Sequence, residues 1–166
     1  ETDLYIMLFT IKLVSIFLFS TLVAVFLSVP ITSVSYLYWL SSREISIGID
    51  ILFKSLSHDW LYFSPILFIV YSVGFFAAFI VSKLALSVIK IDKRIAYGLA
   101  GAASVATVLY LSVALLFETQ IIAGNRYFFG WIFHIIFGFF GGYIFASLLK
   151  KISVSYTHLT LPTNQC

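Results

Sequence analysis

The residues able to do chemistry in this chain are few, and most of them stand alone. His134 is the exception, because it is an imidazole set inside a long apolar run. At such a position a histidine can do one of two things. It can relay protons or line a polar path, since its charge changes near neutral pH. Alternatively it can hydrogen-bond a neighbouring helix and act as a tie, because an unpartnered polar ring in hydrocarbon is costly. Tyr110, Ser112 or a nearby carbonyl are the partners the sequence suggests. No second ionisable group lies at comparable depth by sequence, and a relay needs a chain of them, so the tie is the favoured reading. A second group collects near one membrane face: His58, Asp59, Glu118 and Arg126. Glu118 and Arg126 flank a short turn and can pair across it. With His58 and Asp59 they could also line a pocket, and His, Asp and Glu are capable metal ligands. Their positions follow no ligand spacing, so no metal is assigned.

Motifs that carry phosphate, zinc or nucleophile chemistry are missing: there is no Gly-rich phosphate loop, His-Glu-x-x-His helix, Gly-x-Ser-x-Gly elbow or intramembrane aspartate pair. The single cysteine, Cys166, can build neither a disulfide framework nor a thiolate site within one copy. The expectation is a protein without cofactor that is not an enzyme.

Any such residues are positioned by apolar elements. Of 166 residues, 61% are hydrophobic and 10% charged, against roughly 25% charged in ordinary soluble domains. Water is the wrong solvent for most of this surface. Four runs, Leu4 to Val29, Leu61 to Ser82, Ile95 to Phe117 and Tyr127 to Leu149, are near or above the roughly 20 residues that cross about 30 Å of hydrocarbon as a helix. None alternates like a barrel strand, and backbone groups in lipid must bond within their own segment. The predicted fold is therefore all-α, an integral membrane bundle of four transmembrane helices. Lys12, inside the first run, is expected to snorkel its ammonium to the nearer interface. The chain starts at Glu1 rather than methionine, which implies missing or processed starting residues. The first run is too long for a signal peptide.

The net charge of +3 reflects basic residues scattered singly beside apolar runs, which suits membrane topology rather than nucleic acid. Lys83, Lys90, Lys93, Arg94, Lys150 and Lys151 fall on one side and only Arg43, Lys54 and Arg126 on the other. The excess of Lys and Arg marks the cytoplasmic side, so both termini are expected there. In the connection from Pro30 to Trp60, Ile45, Ile49, Leu52, Phe53 and Leu56 share a helical face opposite Ser46, Asp50, Lys54 and Ser57. The spacing predicts a short amphipathic helix lying at the membrane surface between the first two spans. Tyr36, Tyr38 and Trp39, then Trp60 and Tyr62, supply aromatics suited to the headgroup region. Ser64-Pro65 reads as the beginning of the second span.

Small residues every fourth position form stripes. Gly130, His134, Gly138, Gly142 and Ala146 share a face of the fourth run, and Gly98, Ala102, Ala106, Tyr110 and Ala114 offer a matching face on the third. Gly74, Ala78 and Ser82 add a third stripe. These are read as packing faces that let helices approach closely, with the third and fourth spans as antiparallel neighbours. From Tyr97 through Ala146, the Ala-Gly-Asn-Arg turn ending at Arg126, the following Gly130-Trp131 and the later Gly141-Gly142 resemble uncharacterised four-helix inner-membrane proteins of bacteria. That resemblance covers most of the chain. It implies a bacterial inner membrane and carries no activity. The polar tail from Val154 to Cys166, with its string SYTHLTLPTN, is similar to adapter- or vector-derived tails and is set aside as non-native and disordered, so the domain ends at residue 153.

The expected function is a structural, accessory or assembly component of the membrane, with the lipid bilayer and either further copies or other membrane subunits as partners. The rival is an oligomeric transporter or channel element using His134 and the polar cluster, since four helices enclose little space.

Overall fold

The computed structural model describes the backbone of residues 2–44, 46–115 and 127–159 and the side chains of 4, 6–44, 46–115 and 127–152. It contains α1 (Thr2–Ser41), α2 (Ile49–His58), a π-helical turn (Asp59–Phe63), α3 (Ser64–Val88), α4 (Lys93–Ala114) and α5 (Phe128–Leu159). Among the described residues there is no strand. Four helical stretches are long and apolar enough to cross a membrane: Ile6–Ser41, Ile49–Val88, Lys93–Ala114 and Phe128–Ile152. The chain is therefore a four-span, all-helical membrane protein.

Two expectations about the first connection are corrected. Helix α1 does not stop at Pro30; it runs through the proline to Ser41. Proline lacks an N–H and crowds the carbonyl four residues back, but in apolar surroundings breaking the helix would orphan more backbone groups than keeping it. Thr32 adds a hydroxyl bond to the carbonyl of Ser28 at 3.5 Å, and Leu37 continues the buried face. The short surface helix is also not a separate element. Residues 49–58 are helical, but they lead without a break through the π turn into α3. Ile49 and Phe53, from its expected apolar face, are exposed, while Ile45 lies outside the described residues. Pro65 accounts for this geometry: a π turn closes longer hydrogen-bonded rings, as from the Ser64 N–H to the Asp59 carbonyl, which lets the chain pass the proline without unwinding. Both α1 and the 49–88 run reach about 60 Å at 1.5 Å per residue, twice the hydrocarbon thickness.

Consecutive spans are neighbours and the last closes on the first, since α1 packs on α3, α3 on α4, α4 on α5 and α5 on α1. This is an up-and-down ring with short connections. Its middle is filled by aromatic rings: Phe79 stacks on Phe145 at 4.6 Å and on Phe75 at 5.1 Å, and meets Tyr97 edge-on at 5.4 Å. Phe17 of α1 closes the cluster against Phe79 at 6.1 Å.

The α4–α5 seam depends on missing side chains. A Cβ on Gly142 would strike the carbonyl oxygen of Tyr97, and one on Gly101 would strike the carbonyl oxygen of Gly138. At Gly138 it would sit 2.6 Å from Val105, and at Gly98 2.7 Å from the Phe139 ring. The two backbones therefore touch. On α5 the predicted stripe of Gly130, His134, Gly138, Gly142 and Ala146 is buried throughout. On α4 the predicted stripe holds only at its start. Gly98 is buried, Ala102 and Ala106 are half-buried, and Tyr110 is 71% exposed. Steps of four advance about 40° around a helix at 100° per residue, so a strict fourfold row rotates away. The buried row steps by three and four instead: Gly98, Gly101, Val105, Leu109. On α3, Gly74 would bring a Cβ to 2.5 Å from Ser104 Oγ of α4, and Ser82 is buried.

Candidate functional site

Helix α1 carries an unusual load of hydroxyls on its inner face: Ser20, Thr21, Ser28, Thr32, Ser33 and Ser35 are all buried. In a helix such groups satisfy themselves by bonding a carbonyl three or four residues back, and Ser20, Thr21 and Ser28 do so at 2.8–2.9 Å. Once satisfied, they present oxygen lone pairs to the neighbouring helices.

His134, from α5, lies against this face with none of its surface exposed. Its Nδ1 is 3.1 Å from the Tyr71 hydroxyl of α3 and its Nε2 is 3.3 Å from Thr32 Oγ1 of α1. Tyr71, also fully buried, lies 3.5 Å from Ser28 Oγ. Two proton arrangements use each donor once, and the first places the ring proton on Nε2. Tyr71 donates to Nδ1, Nε2–H donates to Thr32, Thr32 donates to the Ser28 carbonyl, and Ser28 donates to the Ala24 carbonyl. In the second, Nδ1–H donates to Tyr71, Tyr71 donates to Ser28 Oγ, Ser28 to the Ala24 carbonyl, and Thr32 donates to Nε2; either tautomer leaves both ring nitrogens partnered inside the bundle. Three helices meet in one imidazole, and no ring nitrogen points at an open space.

The partners are not those expected from the sequence. Tyr110 faces outward, and Ser112 bonds the Leu109 carbonyl of its own helix at 2.8 Å. Those two were suggested because the third and fourth spans are adjacent in sequence. Yet the face of α5 that carries His134 turns at this level to α1 and α3. A signal was present: Thr21, Ser28, Thr32 and Ser35 repeat at steps of seven, four and three, a polar seam on one helical face, and Tyr71 is a phenol at mid-span.

Toward the Pro30 and Pro65 end, a second link joins α1 to the π turn. Ser33 donates to Asp59 Oδ2 at 2.6 Å, and Asp59 lies 3.5 Å from His58 Nδ1. The Asp59 side chain is 24% exposed and that of His58 67%, so the carboxylate reaches the surface of the bundle while its hydrogen bond points inward. Trp60, next in sequence, stacks on Phe26 at 5.0 Å. Glu118 and Arg126, predicted to join this cluster, lie outside the described residues. Among the described residues no group of three or more His, Cys, Asp or Glu side chains could hold a metal.

The two polar sites are adjacent on α1 and chemically separate. Thr32 and Ser33 are consecutive, so their side chains diverge by about 100° around the helix, one toward His134 and the other toward Asp59. Below His134 the aromatic cluster of Phe75, Phe79 and Phe145, all buried, fills the bundle. No family model, curated protein or solved structure matches this chain.

Proposed function

We propose that this chain is a structural or accessory component of a bacterial inner membrane, a four-span scaffold with both termini in the cytoplasm, rather than a conduit or an enzyme. The observation that supports this most is the closure around His134. A transport residue needs access to water or to a changing partner, whereas here both nitrogens are bonded to other helices and aromatic rings fill the bundle beyond. Interhelical hydrogen bonds of this kind fix register and rotation. Each contributes on average about 0.6 kcal/mol and up to about 1.7 kcal/mol in measured membrane helices. The basic residues on the 83–94 and 150–151 side support the orientation, and the resemblance to four-helix inner-membrane proteins supports the location.

Proton flux into liposomes containing the purified chain tests the reading. Under an imposed pH gradient, liposomes with the wild-type chain and with His134→Gln should leak no faster than empty ones. A leak that the wild type shows and His134→Gln abolishes would overturn the scaffold reading. It would favour the transporter alternative, for which the Ser33–Asp59 link offers the nearest route to the surface of the bundle.

A further inference from the structure

At the opposite end of the bundle from Asp59, the ring of helices does not close. The first half of α1, the end of α3, the start of α4 and the end of α5 surround a cleft of about 1040 Å³, at the upper end of the roughly 300–1,000 Å³ typical of pockets that bury small ligands. Its floor is the underside of the aromatic cluster, with Phe17, Phe79, Tyr97 and Phe145, and Ile80 forms part of its wall. Its rim is of the opposite character. Lys83, Lys93, Arg94 and Lys150 line it, with Asp92 as the single carboxylate on the cleft among the described residues.

That carboxylate is already engaged. It caps α4 by accepting from the Arg94 backbone N–H at 2.8 Å and lies 3.4 Å from Arg94 Nε. The rim is thus strongly cationic at the depth where an apolar trough opens to the headgroup region.

We propose that this cleft is a binding site for an anionic phospholipid, with one acyl chain along the aromatic floor and the phosphodiester among Lys83, Lys93 and Arg94. Charge complementarity selects the occupant. A second copy of this chain would bring another basic rim against this one, and a neutral lipid would bring no net negative charge to Lys83 and Lys93. Basic pockets between transmembrane helices recognise anionic headgroups by this combination of charge and apolar depth. The site is independent of the role assigned to His134.

The test is lipid retention by the full purified chain, read by native mass spectrometry after exchange into micelles doped with dioleoyl phosphatidylglycerol or dioleoyl phosphatidylcholine. The phosphatidylglycerol should be retained selectively, and retention should fall on the order of fivefold per cation removed in Lys83→Gln and Lys93→Gln. Lys54→Gln, at the other end, should behave as wild type. Ile80→Trp, which fills the trough from an exposed position, should also lose lipid, and it keeps the test decisive should the lysine variants assemble poorly. Equal retention of the two lipids, unchanged retention in the cleft variants, or equal displacement by inorganic phosphate alone would overturn the proposal.

Discussion

Helix α5 is held by two different devices on two of its sides. Toward α4 its closest approach is backbone to backbone: Gly138 and Gly142 lie against the backbone of Tyr97, Gly98 and Gly101. Toward α1 and α3 it offers His134, and the contact consists of hydrogen bonds to Thr32 and Tyr71. Between helices in lipid there is no hydrophobic driving force of the kind that acts in water, so association rests on close packing and on polar contacts. The two sides separate those contributions. At Gly101 and Gly142 no rotamer could relieve a collision, because the obstructing atoms are backbone carbonyls. The histidine junction can relax, since a freed hydroxyl on α1 still bonds its own helix. The seam should therefore dominate stability, while the junction sets how α5 is rotated against α1 and α3.

The largest effect should come from the seam. Gly142→Ala is expected to cost about 1–3 kcal/mol, the usual range for overpacking, and Gly142→Leu to prevent assembly, measured by reversible unfolding in mixed micelles. His134→Leu should cost less, about 1–2 kcal/mol for two interhelical bonds, with His134→Gln recovering part of it. If His134→Leu proved more damaging than Gly142→Ala, the ranking of the two devices would be reversed. A smaller effect is expected at the N-terminus of α4. The Asp92 carboxyl is held below its usual range, chiefly by the Arg94 backbone N–H and then by its guanidinium. A depressed carboxyl pKa contributes stability above the unfolded value of about 3.9. Protection of the first turn of α4 against hydrogen exchange should thus be full at neutral pH and decline as the pH falls through the folded pKa. Asp92→Ala should remove that pH dependence. Tyr110→Phe, on the face that the simple fourfold pattern would have buried, should change nothing beyond about 0.5 kcal/mol.

That last substitution marks where the sequence stops being informative. The four spans follow from composition and run length, because the bilayer permits few other solutions. The α5 stripe is also legible, and its Gly138 and Gly142 lie against α4. On α4 the same periodic reasoning drifted, since a fourfold row is not parallel to the helix axis and only the partner's position decides where contact ends. The ends of α1 and α2 differ from the pattern for a local reason. Pro30 and Pro65 are stop and start signals in water, but apolar surroundings keep the helix intact through the first, and a π turn carries the chain past the second. His134 stood out by sequence as a buried imidazole in need of partners. Tyr71 and Thr32 did not, because they are 63 and 102 residues away and nothing local reports which face of α5 turns toward them.

In this structure Tyr71 and Thr32 seal His134 from water. The direct measurement is hydrogen exchange at the imidazole nitrogens of the ¹⁵N-histidine-labelled chain in lipid bilayers, with the exposed His58 as internal reference. The sealed junction predicts an imidazole N–H at His134 that exchanges far more slowly than that of His58. Exchange at His134 as fast as at His58 would contradict it.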